Sequence, residues 1–319
     1  NSNNCTKGDI FFAIKGTKTN GNKFINQAIK NGAKTIISTL KFEGYKGNVL
    51  FLNSKNTRKS LAQASSLFYK KKPKNLIAVT GTNGKTSVAS FFFQIMKLNK
   101  KKIASIGTLG VKSNRFRYDL PNTTIDPLSL SQTLENLKKK KINTVILEAS
   151  SHGLKQNRLD GLLFDIGIFT NLSRDHLDYH RSFKNYFNSK MILFKNLMKK
   201  KSTVIYNSNN KYGPKINSII KRNKLNKILI GDKNSNLKLI KNIPMKDKQK
   251  VFFEYKNKIF TFETRLIGEI QITNLLMAIS AASKYLSINK ILKSIDKIEE
   301  VNGRMEKIGE LRNNSKVIL

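Results

Sequence analysis

A glycine-rich loop, TGTNGKTS at residues 80–87, constrains this chain more than any other feature. A short apolar run at 76–80 precedes it, and a helical pattern at 86–98 follows it. Between a strand and a helix, such a loop turns backbone N–H groups and the positive end of the helix dipole towards phosphate. Lys85 would reach the β- and γ-phosphates, and the Thr86 hydroxyl would ligate Mg²⁺. Residue 79 is Val, so the motif is GxxGKT, and the alternative is an ordinary glycine-rich turn.

The pattern around this loop alternates between strands and helices. The predicted strands are 76–80, 103–106, 144–148, 164–169, 203–206 and 228–230, and the predicted helices are 86–98, 127–140 and 183–197. This order predicts an α/β fold of the P-loop ATPase type, with a mostly parallel central sheet and helices on both faces. Beyond residue 230 we expect a hairpin at 251–262 that turns at Asn257-Lys258, then helices at 270–285 and 288–298.

A smaller α/β unit is predicted before the loop. It has an apolar stretch at 10–14, a helix at 24–31 and strands at 35–38 and 49–52. The run Lys70–Pro73 then interrupts packing and predicts a linker. We expect an N-terminal domain at 1–72, a central ATP-binding domain at 73–303, and at 304–319 the start of a C-terminal domain that is otherwise missing. Both ends look truncated, since the chain lacks a starting Met and stops inside an apolar run.

The charge of the chain raises the possibility of a nucleic-acid partner. Its 60 basic and 20 acidic residues give a formal net charge of +40. The basic residues are dispersed, however, and most are Lys, although Arg is the better reader of phosphates and bases. A lysine-coated solvated surface, of the kind an AT-rich coding sequence produces, explains the excess without nucleic acid. A basic binding module without chemistry remains the alternative from another class, and its binding would weaken steeply with salt.

We expect neither a membrane span nor a signal peptide in this sequence. No run of about 18 apolar residues, which a membrane span needs, is present. The polar start, 1–7, does not resemble a signal peptide, and the single Cys5 fits a reducing compartment. We expect a cytoplasmic monomer without a membrane partner.

Two further side chains are candidates for metal ligation. Glu148 closes one predicted strand and His176 follows another, and open α/β sheets bind ligands at these strand ends. A lone Glu is usually solvated, and a lone His is usually a core or capping residue. Together with the phosphate loop, the two residues predict a metal site.

Several motifs resemble the Mur ligases, which build the bacterial cell-wall peptide, and their folylpolyglutamate synthase relatives. The loop is followed by NTT at 122–124, EASSHGL at 148–154 and TNLSRDHLDYH at 170–180. Their order and spacing resemble the branch of the family that adds the third amino acid. GDIFFA at 8–13 and GRME at 303–306 resemble that branch as well.

The resemblance implies an ATP-dependent amide-bond-forming ligase that needs Mg²⁺. It would join a diamino acid, meso-diaminopimelate or L-lysine, to UDP-N-acetylmuramoyl-L-alanyl-D-glutamate (UDP-MurNAc-L-Ala-D-Glu) through an acyl phosphate. The region that chooses the diamino acid would lie in the missing C-terminal domain. The alternatives within the enzyme class are a sister Mur ligase and a folylpolyglutamate synthase.

The resemblance also assigns residues to the site. The catalytic residues would be Lys85, Glu148, His176 and Lys190, a lysine carbamylated by CO₂; Thr86, Glu148, His176 and Lys190 would hold metal. ATP would contact Gly81, Thr82, Asn83, Gly84, Lys85, Thr86, Ser87, Asn274 and Arg304. The muramoyl substrate would contact Ser2, Thr17, Lys18, Thr19, Asn122, Thr123, Thr124, Ser150, Gln156 and Arg158. The family usually has Asp-Ser-Arg where this chain has Asn1-Ser2-Asn3. A carbamylated lysine needs a neutral amine, and burial or neighbouring cations supply one.

Overall fold

The computed structural model describes residues 1–16, 19–231, 235–301, 303, 307–310 and 316–318. It contains two compact units. The first consists of residues 1–70, 126–132 and 156–161, and the second of residues 71–125, 133–155 and 162–319.

The first unit is built on a small mixed sheet. Its strands are β1 (Ile10–Phe12), β2 (Thr35–Ser38), β3 (Gly44–Lys46) and β4 (Val49–Asn53), and its helices are α1 (Ile25–Lys30) and α2 (Thr57–Phe68). The sheet order is β1-β2-β4-β3, with β3 antiparallel to β4 and the other pairs parallel. Phe11, Ile36 and Phe51 form its core with α1. The predicted strands and helix are confirmed, but α2 was not predicted. Its one sequence signal is Asn56, whose side chain accepts the Lys59 N–H at 3.0 Å.

The second unit contains a long sheet. Its strands are β5 (Asn75–Thr80), β6 (Ile103–Gly107), β7 (Gly110–Ser113), β8 (Arg117–Tyr118), β9 (Thr144–Glu148), β10 (Phe164–Phe169), β11 (Met198–Asn207), β12 (Asn226–Gly231), β13 (Leu237–Pro244), β14 (Gln249–Tyr255) and β15 (Lys258–Thr264). The order is β15-β14-β13-β12-β11-β10-β5-β9-β6-β7-β8. Neighbours from β13 to β6 pair in parallel, and the two ends are antiparallel. A separate pair, β16 (Lys307–Glu310) and β17 (Lys316–Ile318), follows.

Helices cover both faces of the long sheet, as predicted. The remaining helices are α3 (Lys85–Leu98), α4 (Pro127–Lys139), α5 (Ser151–Lys155), α6 (Leu177–His180), α7 (Phe183–Asn196), α8 (Gly213–Arg222), α9 (Glu269–Ala282) and α10 (Ile288–Leu292). On one face, Ile77 and Val79 of β5 join a core with α3 and α9. On the other face, Phe169 packs edge-on against Phe194 of α7, with 6.4 Å between ring centres. Because β5 lies in the middle of the sheet, the loop that follows it contacts residues of α7 on one face and of α9 on the other.

Two sequence predictions need correction. The hairpin turns at Lys256-Asn257, one residue earlier than expected, and Tyr255 pairs with Lys258. Both turn residues have positive φ, 52° and 58°, which two-residue hairpins favour because this turn matches the strand twist. The predicted helix at 288–298 ends at Leu292, and a 3₁₀ turn, Ile295–Lys297, follows. Ser294 Oγ donates to the Ile291 carbonyl at 2.7 Å, an alternative to the helical hydrogen-bond ladder.

Candidate active site

The loop between β5 and α3 passes very close to its surroundings at two glycines. Gly81 has φ 154° and Gly84, the N-cap of α3, has φ 81°. A Cβ on Gly81 would lie 1.8 Å from Thr170 Oγ1, and a Cβ on Gly84 would lie 2.6 Å from Asn274 Oδ1. Side chains are therefore excluded at both positions. The loop N–H groups at the start of α3 form the cradle that phosphate oxygens bind.

Residues that follow β10 fasten the loop in place. Asn171 accepts two of its N–H groups, that of Thr82 at the main-chain oxygen and that of Asn83 at Oδ1, each at 3.0 Å. Thr170 Oγ1 donates to the Asn83 carbonyl at 2.5 Å. Through these bonds the TNLS segment, residues 170–173, holds the conformation of the glycine-rich loop.

Lys85 extends back over the loop. Its Nζ donates to the Gly81 carbonyl at 3.1 Å and to the Thr82 carbonyl at 2.7 Å. The Lys85 ammonium group thus lies beside the N–H groups of the cradle, where phosphate oxygens could replace the carbonyls as its partners. Ser87, the last residue of the motif, is buried within α3.

Glu148, at the end of β9, is held at both carboxylate oxygens. Oε1 accepts the Thr108 N–H at 2.9 Å, and Oε2 accepts the Thr86 hydroxyl at 2.9 Å and the Thr108 hydroxyl at 3.2 Å. The residue is 3% exposed, and burial raises the pKa of its carboxyl while these bonds and Lys85 lower it. Glu148 and Thr86 form a pair of hard oxygen ligands beside the phosphate loop, which suits Mg²⁺.

Lys190, on α7, is buried beneath the same loop. It is 1% exposed, and its Nζ donates to the Gly81 carbonyl at 2.7 Å. The Nζ also lies 4.2 Å from the ring centre of Tyr186, whose hydroxyl donates to Thr82 Oγ1 at 3.1 Å. Burial, with a contribution from the neighbouring charge of Lys85, lowers the pKa of Lys190 to about 6. Its amine is therefore largely neutral at pH 7.

The predicted ligand His176 belongs to an aromatic and imidazole cluster. Its ring centre lies 4.9 Å from that of His152 and 6.3 Å from that of Tyr186, and its Nε2 is 3.4 Å from Asp175 Oδ2. The His176 side chain is 49% exposed. His180 is fully buried and shares a 3.0 Å hydrogen bond with Ser151 Oγ. Burial, with nearby cationic groups, lowers the pKa of His180 to about 4.

Lys85 and Lys190 share the Gly81 carbonyl, whereas Glu148 and His176 contact different side chains. Glu148 bonds to Thr86 and Thr108, whereas His176 contacts His152 and Tyr186. Within the described part of the chain, no three His, Cys, Asp or Glu side chains form a ready metal cluster. An unmodified lysine supplies no oxygen, so Lys190 joins a ligand set only after carbamylation.

Three of the predicted substrate residues are connected in the second unit. Thr124 Oγ1 lies within donating distance of two acceptors, the Glu148 carbonyl at 2.9 Å and Ser150 Oγ at 3.0 Å. Thr123 Oγ1 lies 3.1 Å from Thr108 Oγ1, and Asn122 is exposed. Hydroxyl groups from two segments thus meet beside Glu148.

The other predicted substrate residues belong to the first unit. Gln156 Oε1 accepts from Arg158 Nε at 3.1 Å and from its Nη2 at 2.8 Å. Ser2 is buried and its carbonyl accepts from Asn31, while Thr19 is exposed. Thr17 and Lys18 lie outside the described residues.

Of the two residues predicted near the nucleoside, one can be described. Asn274 is buried on α9 against Gly84 and donates to Gln271 Oε1 at 3.3 Å. Arg304 lies outside the described residues.

Sequence reasoning missed several residues of this site. Thr108, Asn171, Tyr186 and His180 all contact predicted site residues, His180 through its N–H to the His176 carbonyl. Thr108 follows β6, so the rule that ligands gather at the carboxyl ends of parallel strands could have found it. Tyr186 had no comparable signal, because only the packing of α7 brings its hydroxyl to the loop.

The fold and the glycine-rich loop together define an α/β protein of the phosphate-loop class. The family model "Mur ligase middle domain" matches residues 79–282, and "Mur ligase family, catalytic domain" matches residues 1–69. The chain belongs to the Mur ligase family.

Named relatives give further detail. The UDP-N-acetylmuramoyl-L-alanyl-D-glutamate–2,6-diaminopimelate ligase of Rickettsia prowazekii is 38% identical over 97% of this chain, which spans 65% of that protein. A solved structure of a ligase with the same name has a TM-score of 0.86 at 26% identity, covering 97% of this chain and 64% of its own. MurF ligase from Thermotoga maritima, solved with ADP, has a TM-score of 0.66 at 19% identity over 97% of this chain and 67% of its own, a likeness of fold. The chain thus spans less than two thirds of the length of the curated relative.

Helices long and apolar enough to cross a membrane are not found among the residues described here.

Proposed function

We propose that the protein containing this chain is an ATP-dependent ligase that adds a diamino acid to UDP-MurNAc-L-Ala-D-Glu during cell-wall synthesis. The relatives support 2,6-diaminopimelate as that amino acid, since their names include it. L-Lysine is the alternative. The reaction belongs in the cytoplasm, where ATP is available.

One observation carries the proposal: two lysines meet at the phosphate loop with a carboxylate nearby. Lys85 and Lys190 both donate to the Gly81 carbonyl, and Glu148 bonds the hydroxyl of Thr86 on the same loop. An ATP-dependent amide synthesis needs positive charge around a transferring phosphoryl group. Lys85 supplies a cation, and Glu148 with a carbamylated Lys190 would hold Mg²⁺.

The loop and its neighbours then have separate roles in binding ATP. Residues 81–87 would surround the phosphates, with the N–H groups at the start of α3 bonding their oxygens, and Lys85 would neutralise charge on the transferring group. Asn274, packed on Gly84, contacts the nucleoside, and Arg304 is a further nucleoside contact that stays a prediction. When bound, Mg²⁺ supplies charge neutralisation at the phosphates, and Thr86 and Glu148 would hold one ion. The donor set fits, because a buried carboxylate is stabilised by a cation and hydroxyl and carboxylate oxygens are the ligands Mg²⁺ prefers.

Lys190 is proposed to carry a carbamate. Its neutral amine would attack CO₂, form an N–C bond and release one proton, which converts the side chain into an anion. Burial and the Tyr186 ring leave little room for solvent around this group. With Glu148 and His176, the carbamate would complete a second Mg²⁺ site.

The substrate carboxylate would be activated beside these groups. The γ-phosphoryl group passes from ATP to the terminal carboxylate of the dipeptide, and the amine of the diamino acid then displaces phosphate to form the amide. Thr123, Thr124 and Ser150 present hydroxyl groups next to Glu148, where they would orient the acceptor. Asn122, Gln156 and Arg158 would bind the rest of the muramoyl peptide, and Ser2, Thr17, Lys18 and Thr19 the uridine nucleotide.

The proposed domains keep the predicted bounds: a UDP-muramoyl domain at 1–72, a central domain at 73–303, and the start of a C-terminal ligase domain at 304–319. A monomer is proposed, with no nucleic-acid or membrane partner.

Purified full-length gene product tests the proposal. Phosphate release is measured with ATP, Mg²⁺ and 2,6-diaminopimelate, with UDP-MurNAc-L-Ala-D-Glu, another muramoyl peptide or a folate as acceptor. Of the three acceptors, we expect only the muramoyl dipeptide to support turnover. Turnover with another acceptor would indicate the sister ligase or the folate enzyme. Turnover with none, together with salt-sensitive nucleic-acid binding, would support the basic binding module.

A further inference from the structure

Thr108 has no role in the proposed function. It nevertheless lies between the residues proposed for the muramoyl substrate and those proposed for the nucleotide. It occupies the turn between β6 and β7. Its hydroxyl lies 3.1 Å from Thr123 Oγ1 and donates to Glu148 Oε2 at 3.2 Å. Thr108 is thus bonded to a residue on the substrate side and to a residue on the nucleotide side.

These bonds form a chain of hydroxyl groups with a defined direction. A threonine hydroxyl carries one proton, so it donates once and accepts with its lone pairs. If Thr108 donates to Glu148 Oε2, the bond with Thr123 must have Thr123 as the donor. The same Glu148 oxygen accepts from Thr86 at 2.9 Å, which extends the chain to the phosphate loop.

The backbone at this turn fixes the other carboxylate oxygen. Glu148 Oε1 accepts the Thr108 N–H at 2.9 Å. A Cβ on the preceding Gly107 would lie 2.2 Å from that oxygen, so only glycine permits the approach. Thr108 therefore determines where the Glu148 carboxylate lies, through its main chain and through its side chain.

The residues joined by these hydrogen bonds differ sharply in solvent exposure. Glu148 is 3% exposed, whereas Thr108 is exposed and Thr123 is half-buried. Water therefore competes for the Thr108 hydroxyl in the free protein. A ligand that covers Thr123 would exclude this water, and hydrogen bonds are stronger in a drier environment.

We propose that Thr108 is a positioning residue that couples the two substrate sites. Occupation of the Thr123 side by the muramoyl dipeptide strengthens the Thr108–Glu148 bond, which fixes Glu148 and Thr86 for the nucleotide. Thermodynamic coupling is reciprocal, so each ligand raises the affinity of the other by the same factor. The inference rests on the proposed function for the identity of both ligands.

Isothermal titration calorimetry on the full-length gene product tests this coupling. A non-hydrolysable ATP analogue with Mg²⁺ is titrated with and without saturating UDP-MurNAc-L-Ala-D-Glu. Thr108→Val removes only the hydroxyl and keeps the shape and the N–H, while Thr108→Ser keeps the hydroxyl. We expect the dipeptide to tighten analogue binding about fivefold or more in the wild type and in Thr108→Ser. In Thr108→Val we expect a factor close to one.

Three outcomes would overturn the inference while leaving the proposed function standing. One is a Thr108→Val variant with the wild-type coupling factor. Another is a variant in which both affinities fall but their coupling persists, because the hydroxyl would then be merely structural. The third is a wild type that binds both ligands without coupling. A wild type that does not bind the dipeptide contradicts the proposed function itself, and the inference fails with it. Urea unfolding of both variants shows whether either change affects the fold.

Discussion

Lys85 and Lys190 donate to the same acceptor, the main-chain carbonyl of Gly81, at 3.1 and 2.7 Å. Burial, and after it the nearby charge of Lys85, lowers the pKa of Lys190 to about 6. The loop therefore carries one half-buried cation, Lys85, suited to phosphate, and one buried neutral amine, Lys190, suited to modification.

Lys85→Ala should abolish ligation and leave the fold intact. Removing a charge that stabilises a transition state commonly costs about 10²-fold or more in rate. Steady-state phosphate release in the full-length protein measures the loss. Lys97→Ala is the matched control, since Lys97 is an exposed lysine on the same helix, and it should retain activity. Near-normal turnover of Lys85→Ala would contradict the role of this lysine.

Lys190 should be carbamylated in the active protein. In ¹³C-bicarbonate, we expect a carbamate carbon resonance in the wild type that is absent from Lys190→Ala. The alanine variant should be inactive and partly rescued by acetate, because a small carboxylate can replace the missing oxygens. Full activity in CO₂-free buffer, or a fully active alanine variant, would rule the carbamate out.

Gly84→Ala should weaken nucleotide binding as well as stability. The left-handed φ of 81° costs any L-residue roughly 1–2 kcal/mol, and the new Cβ would also lie 2.6 Å from Asn274 Oδ1. Gly47→Ala separates the two effects, because Gly47 has φ 59° with open space around it. Urea unfolding and ATP-analogue titration should show a stability loss in both variants and an affinity loss in Gly84→Ala alone. Equal affinities would show that the loop tolerates the side chain.

His180 should make the fold sensitive to mild acid. Its pKa is about 4 in the folded chain and 6.5 unfolded, so the unfolded state binds more protons between these values. Stability from this group is therefore present above pH 6.5 and is lost as the pH falls towards 4, by on the order of 1–2 kcal/mol. Urea unfolding at pH 7.5 and 4.5 should show a smaller loss in His180→Gln than in the wild type. An equal loss would mean that His180 is protonated without penalty in the folded state.

The sequence predicted most of the central sheet because its strands are continuous apolar runs between turn residues. It did not predict β7 or α2, whose residues are mixed in polarity and are defined by their neighbours. Lys85 and Glu148 could be predicted because a loop motif and a strand end mark them. Thr108, which follows β6, could have been found by the same strand-end rule. Tyr186 and the shared Gly81 carbonyl could not, since their positions depend on how α7 packs around the loop.

Product analysis on the full-length protein tests the central claim most directly. ATP, Mg²⁺, UDP-MurNAc-L-Ala-D-Glu and 2,6-diaminopimelate are incubated with the enzyme, and the products are separated by chromatography and weighed by mass spectrometry. We predict one new UDP-muramoyl tripeptide, formed in equal amount to the phosphate released. Phosphate released without tripeptide, or no turnover with either diaminopimelate or L-lysine, would contradict the proposed ligase.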